Sequence, residues 1–404
     1  MNKKDLILIE KEIKGCFDYF WNMANLDPSS NGYGFILDRT GHKVVSIAAM
    51  GFAFPAYIIG VKNGYITYEE AYDRTLKTLK NINNYIPHDH GFLAHFVYMD
   101  TVKMKQHTEY STIDTSILLM GAITASEFFG GDIKDEVMKL YDRVDWDYII
   151  DDVNGKTQFL MAMFPDNKDY NVHWDHYAEQ LMMYILYAGS KNADPLTARK
   201  LYYDFERNVG SYKGDNFIYC FSNSLFIHQF THAFFDFSKY LDERGCDWYK
   251  NSVDATIANR RYCIDQKGFK TFSESSWGLT AVKAKDGYFA YGSKPNGFLY
   301  DFIEKIDGTV GPYAAISSIV FTPKESLEAL RYFSSLKKLQ GEYGFYDSFN
   351  LDQNWYSRQY LGIDKGLTII MLDNYLNGTT YEYFMKSNIA LKAIEVLHFK
   401  KKEN

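Results

Sequence analysis

The sequence contains little proline and cysteine and no long apolar run. Proline occurs 8 times and cysteine 4 times in 404 residues, and no two cysteines have Cys-x-x-Cys spacing. This pattern argues against a structural zinc site. No stretch of about 18 consecutive apolar residues is present, so we expect no membrane-spanning helix and no membrane partner.

Excess positive charge and the common cofactor motifs are also missing. The formal net charge is −7, whereas nucleic-acid binding relies on clustered Lys and Arg. No GxGxxG, GxxxxGK[ST], HExxH or GxSxG segment occurs. We therefore expect no nucleic-acid partner, no cofactor and no metal.

The N-terminal segment lacks the features of an export signal. Its apolar run at 6–9 is broken by Glu10 and Lys11, whereas a secretory signal needs about 7–15 apolar residues. This predicts a cytoplasmic protein, although an exported chain whose leader had been removed would look the same.

Aromatic residues are plentiful, at 17% of the chain, and 34 of them are tyrosines. Rings with polar tips suit clefts that bind flat-faced ligands such as sugars, but they also suit ordinary packing. The excess therefore favours a ligand cleft only weakly.

Helical periodicity dominates the chain, and no linker divides it, so we predict one domain over 1–404. Apolar residues at three- and four-residue steps predict helices near 4–24, 43–61, 68–83, 111–130, 133–146, 174–189, 195–209, 226–239, 246–266, 312–320, 324–338, 364–377 and 379–397. Short strands are predicted within 92–99, 159–164, 217–221 and 343–349, and a long loop at 265–311. The pattern favours an all-α fold, an (α/α)6 barrel of six helical hairpins with short strands and long loops at the pocket end. An irregular helical domain is the alternative.

Start signals support several helices. Thr67 is followed three residues later by Glu70, which predicts a capping box. Pro323 follows Thr322 at a first helical position. Ser111 or Thr112 is placed to cap the helix near 111–130.

Carboxylates surrounded by aromatic and glycine-rich loops are the candidate functional groups. Two carboxyls in different environments can serve as proton donor and acceptor in glycosidic-bond cleavage without a cofactor. Glu109 and Asp114 flank a predicted helix start, where an acid can also simply favour the helix end. On the predicted helix 174–189, Asp175 and Glu179 are spaced i, i+4.

Apolar surroundings would raise the pKa of one such acid. Trp174 lies close to Glu179 in sequence, and an apolar contact there would give Glu179 the raised pKa that a general acid requires. An exposed, solvated helix face is the alternative.

Four further segments combine acids, aromatics and glycine. Glu274 stands beside Trp277, which suits either a sugar platform or a buried plug. Asp307 begins an Asp-Gly pair that predicts a turn regardless of function. Asp347 and Asp364 lie where apolar chain meets a loop.

Two histidines have metal-ligand spacing. His228 and His232 are i, i+4, with Asp236 one step further. A pair of this kind is more often packed or hydrogen-bonded, so we predict no metal there.

The segments EYSTIDT (109–115), FSESSWGLTA (272–281), DGTVGPYAA (307–315), YGFYDSFN (343–350) and YLGIDKG (360–366) together resemble the glucoamylase-like domain of bacterial β-1,2-glucanases, glycoside hydrolase family 144. The resemblance runs from about Phe17 to Tyr383. It implies an (α/α)6 barrel and cleavage of β-1,2-linked glucan or sophorooligosaccharides with inversion at the anomeric carbon.

The resemblance also implies roles for particular residues. Glu179 resembles the general acid and Asp364 the candidate base, with carboxyls about 6.5–9.5 Å apart as inversion requires. Glu109 and Asp114 match further pocket acids, and Trp277 and Tyr313 match sugar-contacting positions. We add Trp174, Glu274, Asp307 and Asp347 as candidate substrate-binding residues.

The missing export signal favours a short, imported glucan oligosaccharide as substrate. A transglycosylase or glycosidase of the same fold that acts on another glucan is an alternative, and a non-catalytic carbohydrate-binding protein is a third. The sequence predicts no oligomeric state.

Overall fold

The computed structural model describes residues 1–296 and 306–403, so part of the predicted loop at 265–311 lies outside the described residues. The α-helices within these ranges are α1 (Lys3–Asn22), α2 (Ile47–Lys62), α3 (Tyr68–Tyr85), α4 (Thr112–Phe129), α5 (Gly131–Asp142), α6 (Leu181–Gly189), α7 (Pro195–Asp204), α8 (Trp248–Asp265), α9 (Pro312–Ser317), α10 (Pro323–Ser335), α11 (Gly362–Leu376), α12 (Thr379–Met385) and α13 (Asn388–Val396).

The strands are short and form two-stranded antiparallel ladders. They are β1 (Val44–Ser46), β2 (His88–Asp89), β3 (Phe92–Leu93), β4 (Phe96–Tyr98), β5 (Tyr110–Ser111), β6 (Ile150–Val153), β7 (Lys156–Phe159), β8 (Ala162–Met163), β9 (Val209–Gly210), β10 (Phe217–Ile218), β11 (Tyr240–Leu241), β12 (Ala281–Lys283), β13 (Tyr288–Ala290), β14 (Gln340–Gly341), β15 (Gly344–Phe345), β16 (Phe349–Asn350), β17 (Trp355–Tyr356) and β18 (Lys400–Lys401). The ladders pair β1 with β4, β2 with β3, β5 with β8, β6 with β7, β9 with β10, β11 with β18, β12 with β13, β14 with β15 and β16 with β17.

The helices form an (α/α)6 barrel, which confirms the predicted fold class. Outer and inner elements alternate along the chain from α1 to α11. The inner ring consists of α2, α4, α6, a run of 3-10 turns between 225 and 239, α9 and α11, with α2 packed between α4 and α11. One large hydrophobic cluster extends from Ile9 to Phe399, and a small second cluster contains Phe217, Ala255 and Ala258.

The inner helices have few charged residues because other helices surround them. Helix α2 carries only Lys62 as a charged residue, and residues 47–60 are all buried. Helix α6 is buried along its whole length. A helix that is apolar on every face is stable only when it is enclosed by protein. None of the helices in the described ranges combines the length and apolarity needed to cross a membrane.

Glycine allows α2 and α4 to approach closely. A Cβ atom on Gly51 would lie 2.6 Å from the carbonyl oxygen of Ile117, and one on Gly121 would overlap the backbone of Gly51. The two inner helices can therefore be in contact only because neither carries a side chain at the crossing.

The predicted helix starts are confirmed. The Thr67 hydroxyl accepts a hydrogen bond from the Glu70 amide at 3.2 Å, and the Glu70 carboxylate accepts one from the Thr67 amide at 2.8 Å. Ser111 is the cap of α4. Pro323 is the first residue of α10.

Three helix predictions were wrong in part. The segment 226–239 forms 3-10 turns, where Thr231 accepts a hydrogen bond from the Met182 amide. The segment 379–397 divides at Ser387, which caps α13. Helix α6 begins only after Gln180, whose side chain bonds the backbone of His176 and Ala178 in place of a helical turn.

Candidate functional site

A cavity of about 420 Å³ lies where the inner elements begin. Every inner element contributes a wall residue: Ser46 before α2, Asp114 in α4, Glu179 before α6, Phe226 in the 3-10 segment, Tyr313 in α9 and Ile363 in α11. Helix N-termini carry partial positive charge, which favours the acidic side chains found here. The volume is within the range of small-ligand sites.

Residues outside the inner elements complete the cavity. Asp38, Arg39, His95 and Tyr288 line it, although sequence reasoning selected none of them. The Arg39 Nε donates to Asp38 Oδ2 at 2.7 Å, and its guanidinium lies 5.5 Å from the centre of the Tyr288 ring. Only Tyr288 had a sequence signal, the aromatic, glycine-rich segment 286–292.

Glu179 is the wall carboxyl with the properties of a proton donor. Burial raises its pKa to about 7, and the nearby Asp114 carboxylate adds to the rise. Its backbone carbonyl accepts a hydrogen bond from Thr231 at 3.2 Å, which fixes the turn that presents it. Because α6 starts after Glu179, the predicted helical pairing with Asp175 is wrong, and Asp175 is exposed beside His176.

His95 joins two of the predicted acids. Its Nδ1 lies 2.6 Å from Glu109 Oε1 and its Nε2 lies 3.5 Å from Asp114 Oδ1. Burial lowers the pKa of His95, but Asp114 and Glu109 outweigh burial and raise it. For Glu109 the effect of burial is the opposite, since burial raises the pKa of a carboxyl group. The hydrogen bond from His95 outweighs burial and holds the pKa of Glu109 below its usual range.

These three residues also have a spacing compatible with a metal site, since one ligand atom from each lies within 4.8 Å of the others. However, the two ring nitrogens of His95 face different carboxylates. This arrangement fits a ring that hydrogen-bonds Glu109 and lies within ion-pair distance of Asp114, whereas a metal ligand offers one nitrogen.

Asp347 and Asp364 occupy a second, smaller hollow of about 10 Å³. Tyr313 and Leu361 line both this hollow and the main cavity, so the two spaces adjoin at these residues. Burial raises the pKa of Asp364 well above its usual range, and the Asp347 carboxyl raises it further.

Four predicted substrate-binding residues lie elsewhere. Trp174 is buried and donates to Thr112 Oγ1 at 3.2 Å, and Trp277 is fully buried as a plug. Glu274 is exposed, and its carbonyl accepts a bond from Arg260. Asp307 accepts from the Thr309 amide at 2.8 Å in the turn that its Asp-Gly pair predicts. None of the four lines the cavity.

The two spaced histidines have separate partners. His228 bonds Asn223 Oδ1 at 2.8 Å, and His232 bonds Ser252 Oγ at 3.0 Å. Burial lowers the pKa of each to about 3. Both histidines are therefore neutral, packed side chains, which is the arrangement the sequence analysis favoured.

The geometry defines a class of protein: an α/α barrel with a carboxylate-lined cavity at the ends of its inner helices. Residues 171–388 match the model of the Glycoamylase family, described as "Putative glucoamylase". The chain belongs to this family, as the sequence resemblance implied.

Known proteins share the fold over almost the whole chain. A structure from Bacteroides uniformis named a "putative glucoamylase" has a TM-score of 0.88 and 28% identity, covering 99% of both chains. The endo-β-1,2-glucanase from Chitinophaga pinensis, solved with sophorotriose and glucose, has a TM-score of 0.86 and 26% identity, covering 98% of both chains.

A curated relative extends well beyond the region it shares with this chain. It is an exo β-1,2-glucooligosaccharide sophorohydrolase (non-reducing end) from Parabacteroides distasonis, 26% identical over 431 residues. The match covers 94% of this chain, which spans 56% of the relative's length.

Proposed function

We propose that this protein is a glycoside hydrolase that cleaves β-1,2-linked glucan or sophorooligosaccharides with inversion at the anomeric carbon. The observation that carries the proposal is Glu179, a carboxyl with a pKa of about 7 on the wall of a ligand-sized cavity. Family membership supports the proposal, as do the names of two relatives, a β-1,2-glucanase and a sophorohydrolase.

In the proposed reaction Glu179 is the general acid. It gives its proton to the glycosidic oxygen as the bond from that oxygen to the anomeric carbon breaks. A water molecule on the opposite side of the sugar bonds to the anomeric carbon and gives up a proton to a base. A carboxyl that keeps its proton near neutral pH is suited to the first of these steps.

Asp364 is the proposed base. Asp38 is bonded to Arg39 and Asp114 to Ser111 at 2.6 Å, whereas no N–H or O–H group of the described residues donates to either Asp364 oxygen. Asp364 lies in the first turn of α11, between cavity residue Ile363 and Lys365. We propose that its carboxyl acts at the wall formed by Tyr313 and Leu361. The separation of 6.5–9.5 Å from Glu179 stays a prediction.

The remaining cavity groups suit binding of a sugar chain. Asp38 and Asp114 offer acceptors for sugar hydroxyls. Tyr288 and Tyr313 offer ring faces, which pack against the apolar faces of sugar rings. We propose these residues, rather than Trp174, Glu274, Trp277 and Asp307, as the substrate contacts. This chemistry uses only carboxyl groups and water.

The test is a product screen. Purified protein is incubated with sophorooligosaccharides, maltose and laminaribiose, and proton NMR follows the products. We expect cleavage of the β-1,2-linked substrates with the α-anomer released first. Sophorose as the sole early product would indicate exo action, and mixed lengths endo action.

The screen also separates the alternatives. Cleavage of maltose or laminaribiose alone would replace the proposed substrate with another glucan. Longer products would indicate transglycosylation. Binding of sophorooligosaccharides without any cleavage would overturn the hydrolase proposal in favour of a carbohydrate-binding protein.

A further inference from the structure

Asp347 and Asp364 both line the small hollow next to Tyr313, and their side chains interact directly. Both carboxyl groups are buried, with 3% of each residue exposed. Asp347 Oδ2 accepts a hydrogen bond from the Lys283 amide at 2.7 Å. Asp347 Oδ1 and both Asp364 oxygens receive no bond from an N–H or O–H group of the described residues.

Three unpartnered oxygens in one hollow are costly unless a proton is present. Buried polar atoms are almost always hydrogen-bonded, and two ionised carboxylates in contact repel strongly at low dielectric. A single proton removes the repulsion and pairs two of the three oxygens, because a protonated carboxyl can donate to its neighbour.

We propose that Asp347 is a positioning residue for Asp364: the two carboxyls share one proton, and Asp347 thereby orients Asp364 and lets the pair act as one base. The proposal rests on the proposed function for its catalytic part. Its structural part, the shared proton, is supported independently by the burial of the two carboxyls and by their unpartnered oxygens.

The surroundings determine which oxygen holds the proton. The Lys283 amide stabilises a negative charge on Asp347, whereas Asp364 has no such donor. In the resting pair, Asp364 therefore carries the proton and donates it to Asp347. Burial raises the pKa of both groups. The contact between them adds to the rise in the pKa of Asp364 but partly offsets the rise in the pKa of Asp347, which agrees with this assignment.

Other charged and titratable groups face the pair from each neighbouring element. They are Arg39 and Asp38 from the loop before β1, Lys365 from α11, Glu12 and Tyr19 from α1, Tyr288 from β13, Tyr313 from α9 and Tyr346 beside β15. Arg39 and Lys365 favour the ionised form of Asp364. Lys365 is itself balanced by Glu12 at 2.9 Å, so the pair retains its proton.

With the shared proton, every proton in the base-catalysed attack of water is accounted for. As water attacks the anomeric carbon, the shared proton moves from Asp364 to Asp347, and Asp364 takes the proton that water loses. The pair then holds two protons, one of which returns to solvent before the next cycle. In this scheme Asp347 acts through Asp364 and does not itself touch the sugar.

The direct test is carboxyl-carbon NMR of protein labelled with ¹³C at the aspartate side-chain carboxyl. At pH 7 we expect one aspartate signal at the position of a protonated acid, lost in Asp364→Asn. In Asp347→Asn the Asp364 signal should move to the ionised position, because an amide donates to the anion. Labelling aspartate alone keeps Glu179 out of the spectrum.

Kinetics supply the second readout. Asp347→Asn should lower kcat at least tenfold with KM within twofold, since the pair acts on the chemical step and not on binding. Asp373→Asn is the matched control, a buried aspartate on the same helix that bonds Asn377 and the Thr379 amide. It should leave kcat and the Asp364 signal unchanged.

Each result decides the proposal. An ionised Asp364 in the wild-type protein at pH 7 would overturn it, and so would an Asp364 that stays protonated in Asp347→Asn. If Asp347→Asn does not fold, the wild-type titration still decides whether the proton is present. If Asp364 is protonated but the protein cleaves no glucan, the shared-proton proposal stands and the proposed function is wrong. If the protein cleaves glucan but Asp364 is ionised, the proposed function stands and the shared-proton proposal is wrong.

Discussion

The Lys365 Nζ lies 2.9 Å from Glu12 Oε1, in an ion pair whose side chains are each 5% exposed. The Glu12 carboxylate also accepts a bond from the Phe345 amide at 3.1 Å. The pair joins α1 to α11 directly behind Asp364. Removing one partner of a buried pair leaves an uncompensated charge in the core.

We expect Lys365→Met to lower the free energy of unfolding by about 3–5 kcal/mol. The double variant Glu12→Gln/Lys365→Met removes both charges and should recover more than half of that loss. Urea unfolding followed by circular dichroism measures both. Lys14→Met breaks the exposed pair with Asp18 on α1 and should cost about 1 kcal/mol or less. Equal losses of unfolding free energy in Lys14→Met and Lys365→Met would contradict the expectation that breaking a buried ion pair costs more than breaking an exposed one.

Glu179→Gln should lower kcat at least a hundredfold, on the order of what a general acid contributes. In the wild type, activity should fall as pH rises above about 7, because Glu179 then loses the proton it must donate. Asp175→Asn, an exposed acid four residues earlier, should keep full activity. A Glu179→Gln enzyme with wild-type kcat and an unchanged melting temperature would exclude Glu179 as the acid.

His95→Gln should weaken substrate binding about tenfold, roughly the value of one hydrogen bond to a charged group. His95 hydrogen-bonds the Glu109 carboxylate and lies within ion-pair distance of Asp114, and a neutral glutamine cannot reproduce both contacts. Calorimetry with a sophorooligosaccharide in the Glu179→Gln background isolates binding from cleavage.

The protonation of His95 also makes the free energy of unfolding depend on pH. The pKa of His95 is raised in the folded protein. Its contribution to the free energy of unfolding is therefore complete below pH about 6.5 and is lost as pH rises through the raised pKa. His90→Gln is the control, since His90 pairs with Asp89 at the surface. Equal substrate affinities of His95→Gln and His90→Gln would show that His95 does not contribute to substrate binding.

His232→Gln should make the protein less sensitive to acid. The unfolded state takes up a proton on His232 below pH about 6.5, whereas the buried ring resists it down to about 3. Wild-type stability is therefore complete above pH about 6.5 and falls as pH drops towards 3. Urea midpoints at pH 7.5 and 5 should differ less in His232→Gln than in the wild type. The exposed His107 offers a control, and a His107→Gln protein with the same reduced difference would refute the assignment.

Local patterns in the sequence were sufficient for most helices. The periodicity over 68–83 and the pair Thr67 and Glu70 gave α3 almost to the residue. The segment 226–239 has equally helical spacing but forms 3-10 turns, and the side chains of Thr231 and Gln229 bond to the backbone of α6 and α9. Periodicity records which residues are apolar and carries no information about such distant partners.

The site was predicted in part. Glu179, Asp114 and Tyr313 were named and do line the cavity, while Asp38, Arg39 and His95 line it without having been named. The two tryptophans selected for their size are buried in the core. A single sequence does not distinguish a ring that faces a ligand from one that fills the interior, since both positions favour large, flat side chains.

The sequence by itself determined most of the helices and the motifs that resemble the family, because each depends on residues that are close together in the chain. Only the tertiary structure decided which acids share a cavity and which share a hollow. Asp347 and Asp364 are 17 residues apart in the chain, and Lys365 and Glu12 are separated by 353. Ring closure brings α1 against α11, and the burial that results gives these carboxyls and this ammonium group properties that neither spacing nor composition can assign.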